Sequence, residues 1–140
     1  MSDSWRISHI GVVVKDLEST ARALKTLGAV EVGMLKSARP DAPVKVKVQG
    51  LKMGDIEIEL FQHVEGKTII SDFLEAHGEG VHHVSYFVDD LDGLLNRLGK
   101  KPVYGPVDAP DGRRLAFIDA GLPGGMLVEL EQLPGINGKD

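Results

Sequence analysis

A chain of 140 residues that is 42% hydrophobic and 26% charged has the length of one globular domain, which argues against a two-domain enzyme. The absence of cysteine excludes disulfides, thiolate zinc sites, iron-sulfur clusters and a cysteine nucleophile, so any metal has to be held by His, carboxylate or amide oxygen. The net charge of −5, with the 16 basic residues spread along the chain, lacks the basic stripe that a phosphate backbone demands and argues against a nucleic-acid partner.

Apolar runs such as Ile10 to Val14 are a few residues long, against the roughly 20 needed to cross a bilayer by helix, so no membrane span is expected. Residues Met1 to Arg6 show no basic start, apolar stretch and small-residue cleavage site, and a cytoplasmic protein is the expectation. In chain order, His9 opens a strand that runs to Val14. Asp16 then offers an N-cap, and Leu17, Ala21, Leu24 and Leu27 recur at helical spacing before Gly28. Val44 to Val48 and Ile56 to Leu60 alternate with period two, as strands with one buried face do, and Gly50 and Gly54 read as turns bracketing their connection. Ile69 to Gly78 reads as a short helix or turn, with Gly78-Glu79-Gly80 as its exit. A strand follows from His83 to Val88. Asp90 starts a helix through Leu91, Leu94, Leu95 and Leu98 that stops at Gly99, and Met126 to Leu130 is a last strand. The residues after Gln132 read as a frayed tail.

The chain repeats itself. His9-Ile10-Gly11-Val12-Val13-Val14-Lys15-Asp16-Leu17-Glu18 aligns with His83-Val84-Ser85-Tyr86-Phe87-Val88-Asp89-Asp90-Leu91-Asp92, sharing His, the last Val, Asp and Leu. Gly54-Asp55-Ile56-Glu57-Ile58-Glu59-Leu60-Phe61-Gln62 aligns with Gly124-Gly125-Met126-Leu127-Val128-Glu129-Leu130-Glu131-Gln132, sharing Gly, Glu, Leu and Gln in order. The expectation is one domain over residues 1–140, built of modules at about 6–64 and 80–132 with a linker at 65–79.

Strand parity then assigns the polar residues. Ile10, Val12 and Val14 share one face, which leaves His9 on the other. Ile56, Ile58 and Leu60 leave Glu59 opposite them. Val84, Tyr86 and Val88 leave His83 with Ser85 and Phe87, while Met126, Val128 and Leu130 leave Glu129. All four are expected to face away from the helices into one cavity formed by the two halves. Two imidazoles and two carboxylates suit a divalent ion such as Zn, Mn, Co, Ni or Fe(II). A His at a strand start is ordinarily a hydrogen-bonded structural residue and a strand Glu is ordinarily solvated. It is the repeated His and Glu spacing that favours ligation here. His82 falls on the other face by parity, His63 and Glu57 share the parity of Glu59 without a matched spacing, and His77 shows no spacing signal.

These residues resemble the vicinal oxygen chelate superfamily of glyoxalases, bleomycin resistance proteins and dioxygenases, and within it the methylmalonyl-CoA epimerases. The likeness rests on Ile7-Ser8-His9-Ile10-Gly11-Val12, on Phe73-Leu74-Glu75 with Gly78-Glu79-Gly80-Val81-His82-His83, and on the motif from Gly124 to Gln132; it spans about residues 6–132. It implies an α+β fold of paired βαβββ modules forming a curved mixed sheet around a central metal-binding cavity. It implies metal ligands at His9, His83 and Glu129, with a fourth at Glu59, and a Co, Mn, Zn or Ni ion. A homodimer is also implied.

The implied chemistry is removal and return of the α-proton of an acyl-CoA thioester, methylmalonyl-CoA above all. A substrate with two neighbouring oxygens would chelate the ion, and the fixed positive charge would stabilise the developing enolate. Epimerisation calls for two acid/base groups, and Glu129 is one candidate. The epimerases carry a further Glu after the first helix, in a run where this chain has Pro40-Asp41-Ala42-Pro43-Val44, so Asp41 is the nearest substitute, one methylene shorter. If Val44, Val46 and Val48 pack on the helices, Lys45 and Lys47 face the cavity and could hold an anionic group; lysines guarding an edge strand are the alternative. Arg113 and Arg114 could meet coenzyme A phosphates, with solvated hairpin charges as the alternative. A glyoxalase I-like lyase acting on a hemithioacetal uses a similar ligand set. A ring-cleaving Fe(II) dioxygenase, which typically uses two His and one Glu, fits less well. A ligand-sequestering module without turnover commonly lacks the four ligands.

Overall fold

A strand, a helix and three strands occur in succession, a second helix follows, and the same succession then recurs. The computed structural model describes residues 5–37 and 45–135. In it β1 (Arg6–Val14), α1 (Leu17–Thr26), β2 (Val30–Ser37), β3 (Val46–Met53) and β4 (Ile56–His63) precede α2 (Ile69–His77). Then come β5 (Gly80–Phe87), α3 (Leu91–Leu98), β6 (Tyr104–Asp108), β7 (Arg114–Ile118), a single 3-10 turn (Pro123–Gly125) and β8 (Leu127–Gln132). The class is mixed α+β, with paired βαβββ succession as expected. The chain divides into two compact units, one of His9–His82 and the other of the residues from His83 onward with those before His9.

In the first unit the strands lie in the order β2-β3-β4-β1, with β1 and β4 parallel and the other neighbours antiparallel. The alternation of Ile10 to Val14 and Ile56 to Leu60 decides its packing. Val14 and Leu60 turn to α1 and enclose a core with Leu17, Ala21, Ala29 and Leu51, against which Val12, Leu24 and Ile58 pack. Burial of a side chain such as Leu60 is worth about 2 to 3 kcal/mol. α1 starts where Asp16 caps it, its side chain accepting from Ser19 N–H at 3.2 Å. The next orphan donor, Leu17 N–H, donates to Gln62 Oε1 at 2.8 Å, tying the helix start to the end of β4. Leu27 is the C-cap and is exposed, so the helical spacing read from the sequence ends one position early.

The other face of this unit is covered as well. Val13, Val46 and Val48 form a second core with Ile70 and Phe73 of α2, and Phe61 packs against it. α2 begins at Thr68, whose hydroxyl accepts from Ser71 N–H while Ser71 Oγ accepts from Thr68 N–H. This arrangement corrects two expectations. Val46 and Val48 face α2 and not α1, so Lys47, opposite Gln62 in the ladder, lies on the α1 face and is exposed. Lys45 is exposed too, its stem running beside Gly66. Val46 and Val48 do pack on a helix, but it is α2, on the face that Val13 shares with His9, so neither lysine turns toward His9. Gly50 is not a turn but the middle of β3, opposite Glu59; a β-carbon there would stand 2.8 Å from Glu57 Oε2, so the glycine makes room for that carboxylate.

The second unit repeats the plan in the order β5-β8-β7-β6, with β5 and β8 parallel. Val88, Leu91, Leu94, Ala116, Ile118 and Leu130 make its core. Val14, Leu17 and Leu60 thus have twins in Val88, Leu91 and Leu130. Asp90 caps α3 by accepting from Gly93 N–H at 3.1 Å, and Leu91 N–H donates to Gln132 Oε1 at 2.7 Å, the twin of the Leu17 and Gln62 contact. Gly99 closes α3 in the left-handed conformation, at φ +64°. Among the described residues, no helix is long and apolar enough to cross a membrane.

Because both glutamines accept from an otherwise orphaned helix amide, Gln62→Ala and Gln132→Ala are each expected to lower the unfolding free energy by about 1 kcal/mol in urea denaturation. A loss in one variant and none in the other would contradict equivalent roles for the twins.

Candidate functional site

In the first unit the parallel register sets Gly11 opposite Glu59 and Val13 opposite Phe61, so His9 stands on the same face one pleat before Glu59. The imidazole bridges that diagonal: His9 Nε2 lies 3.5 Å from Glu59 Oε1, with His9 buried and the Glu59 side chain 16% exposed. Glu57, on the same face, occupies the space Gly50 leaves.

The second unit reproduces the arrangement. Ser85 stands opposite Glu129 and Phe87 opposite Glu131, so His83 again precedes its glutamate by one pleat. His83 Nε2 lies 3.4 Å from Glu129 Oε1, both residues are buried, and the His83 ring meets Phe117 edge-on at 5.0 Å between centroids. Phe117 is the ladder neighbour of Glu129 on β7 and walls the pair.

In each pair the nitrogen and oxygen are farther apart than a good N–H···O bond at 2.7–3.2 Å. Two donors at right angles on one ion, each bonded at about 2.1 Å, stand about 3 Å apart. Each His and Glu pair is thus close to the spacing of neighbouring ligands, and a nitrogen beside an oxygen suits a borderline divalent ion. Two expected pairs, His9 with Glu59 and His83 with Glu129, are brought together within their units. Asp41 lies outside the described residues.

The arginines expected to reach phosphates are occupied. Arg113 Nε donates to Asp111 Oδ2 at 2.8 Å and its Nη1 to Glu131 Oε1. Arg114 bonds Asp92 at 3.0 and 3.1 Å and Asp108 at 3.0 Å. Burial pulls the Arg113 pKa down, but Coulomb attraction from Glu131 and Asp111 and their hydrogen bonds outweigh it and raise the pKa on balance. The Arg114 pKa is raised by hydrogen bonds to Asp92 and Asp108. With two carboxylates against one guanidinium at each position, neither offers surplus positive charge.

Glu131 and Ser85 were not singled out by the sequence, although they share the parity of Glu129 and His83. Both are fully buried, and Ser85 Oγ donates to Glu131 Oε2. Among the other histidines, His82 packs edge-on against Phe73 at 5.0 Å, away from His83 as parity required. His77, at the end of α2, lies tilted against the same phenylalanine at 5.1 Å between centroids. His63 Nδ1 is buried without a hydrogen-bond partner among the described residues.

Comparison with known proteins bears on this geometry. Residues 8–117 match the profile of the glyoxalase/bleomycin resistance protein/dioxygenase superfamily. An ethylmalonyl-CoA/methylmalonyl-CoA epimerase of Cereibacter sphaeroides is 33% identical over 135 residues, covering 91% of this chain and 98% of that protein. The human mitochondrial methylmalonyl-CoA epimerase is 28% identical over 132 residues, covering 91% of this chain and 73% of that protein. A Streptomyces coelicolor methylmalonyl-CoA epimerase variant, solved in complex with 2-nitronate-propionyl-CoA, superposes with a TM-score of 0.74 at 25% identity, covering 94% of this chain and 99% of that one.

His82, whose ring packs on Phe73, yields a prediction of its own. Burial lowers its pKa from the ordinary 6.5 to about 4, so between those values the unfolded chain binds the proton and the folded chain does not. The stability this confers is fully present above pH 6.5 and is lost as pH falls toward 4, by up to about 3 kcal/mol. In chelator-treated protein, urea denaturation of wild type and His82→Leu at pH 7 and pH 4.5 is expected to show a smaller acid loss in the variant. Equal losses would contradict it.

Proposed function

The chain belongs to the glyoxalase/bleomycin resistance protein/dioxygenase superfamily, and on that premise we propose that it is a divalent-metal-dependent epimerase acting on the α-carbon of a methylmalonyl-type acyl-CoA thioester. The observation that carries this reading is the duplicated pair: His9 Nε2 and Glu59 Oε1 at 3.5 Å, His83 Nε2 and Glu129 Oε1 at 3.4 Å, in the same ladder positions of both units. Support comes from the likeness to epimerases over nearly the whole chain. The lyase alternative draws no support from those relatives.

In this reading His9, Glu59, His83 and Glu129 are the ligands of one Co, Mn, Zn or Ni ion. When bound, the ion supplies fixed positive charge against the negative charge that builds on the thioester oxygen as the α-proton leaves. The remaining work falls to the chain. Glu129 takes the α-proton on one face of the substrate carbon, and a second carboxylic acid, for which Asp41 is the candidate, gives a proton to the opposite face. Each proton lost to one group is matched by one delivered from the other, so configuration inverts without net change in composition. The wall made by Phe117 shields Glu129 from water, which strengthens its electrostatic interactions.

The test is deuterium wash-in. Protein stripped with chelator and reloaded with Co(II) or Mn(II) is expected to incorporate solvent deuterium at the α-carbon of methylmalonyl-CoA or ethylmalonyl-CoA, read by mass spectrometry. Glu129→Gln is expected to slow incorporation by about 100-fold or more. Absence of exchange with every combination of these metals and thioesters would contradict the reading.

A further inference from the structure

The two units share a framework, but the second carries a buried polar chain, Ser85, Glu131 and Arg113, beside its His and Glu pair. The position one pleat beyond His83 is Ser85, and its twin beyond His9 is Gly11; the position one pleat beyond Glu129 is Glu131, and its twin beyond Glu59 is Phe61. Ser85 and Glu131 are both 0% exposed. Glu131 accepts from Ser85 Oγ on one oxygen and from Arg113 Nη1 on the other, and Arg113 continues to the exposed Asp111. Burial of an ion pair is a poor route to stability, since apolar residues of similar volume commonly do as well. The first unit folds on the same plan with Gly11 and Phe61, so the framework does not require the chain. Its placement ties it to Glu129: Ser85 is the ladder partner of Glu129, and Glu131 lies on the same strand and face.

A serine hydroxyl has one proton to donate. We propose that Glu131, anchored by Arg113, is a positioning residue for Glu129, drawing the Ser85 proton away so that Glu129 keeps its oxygens for a bound cation. Arg113 fixes the direction of this arrangement, because a guanidinium can only donate and therefore obliges Glu131 to accept. The inference rests on the reading of His83 and Glu129 as metal ligands.

The direction of the Ser85 hydrogen bond makes the proposal testable by rescue. In Glu131→Gln the amide oxygen faces Arg113, the amide NH2 donates to Ser85 Oγ, and the hydroxyl proton is turned toward Glu129. Titration of the chelator-treated protein with Co(II), followed by visible absorption, is expected to show binding weakened about 10-fold in Glu131→Gln. Ser85→Ala, which has no proton to misdirect, is expected to bind within about threefold of wild type, and Ser85→Ala added to Glu131→Gln to restore that affinity. Unchanged affinity in Glu131→Gln would overturn the proposal. So would failure of the added Ser85→Ala to rescue, or a tenfold loss in Ser85→Ala alone, a test that holds even if Glu131→Gln does not fold. If wild type itself binds no Co(II), the metal reading falls, and the inference with it; wild-type binding with unmoved variants overturns the inference alone.

Discussion

The parallel pairing of a strand that begins with His to a strand that contains Glu is the constraint on which the rest depends. Parallel partners keep one register for their whole length, so Gly11 against Glu59 and Ser85 against Glu129 dictate that His9 and His83 precede their glutamates by one pleat on one face. A slip of one residue would send His9 into the core under α1 and His83 into the core under α3. The apolar alternation of Val12 and Val14, or of Tyr86 and Val88, forbids that slip, because those side chains fill the cores with Leu60 and Leu130. The hydrophobic effect thus holds polar groups in place without touching them.

Parallel neighbours need a crossover, and the crossovers are pinned at their starts. Asp16 and Asp90 cap the helices, and Gln62 and Gln132 reach from the ends of β4 and β8 to the first helix amides. The glutamine that anchors each helix lies on the strand that also presents the glutamate. Helix position and carboxylate position are therefore linked through one strand in each unit. The duplication departs from symmetry where polar groups are concerned: the second unit has Ser85 and Glu131, with Arg113 beside them, where the first has Gly11 and Phe61, and the first has Glu57 settled against Gly50.

Much of this was legible because strand parity and internal repetition are local signals. His9, Glu59, His83 and Glu129 are marked by the internal repeat and by alternation together, and both N-caps by Asp followed by leucines at helical spacing. β2, β6 and β7 did not. β7 is a short apolar run, Leu115-Ala116-Phe117-Ile118, without alternation, and β6 holds Gly105 and Pro106 within five residues. The facing of Lys45 and Lys47 is open in the sequence for a different reason. Alternation separates two faces but does not say which neighbour covers each, and in this unit α1 covers one and α2 the other, so valines are buried on both sides. Gly50 reads as a turn in sequence, whereas its role is to admit Glu57, a long-range contact that no local pattern contains. Glu131 was passed over because a second strand glutamate looks solvated until Arg113 and Ser85 are seen beside it.

The proposed function has the two His and Glu pairs serve a single ion. Metal stoichiometry tests it most directly. Equilibrium dialysis of the stripped protein against Co(II), with metal and protein quantified, is predicted to give one ion per chain for wild type and loss of that ion in His9→Ala and in His83→Ala alike. Two ions per chain, or one ion that survives removal of either histidine, would contradict the account.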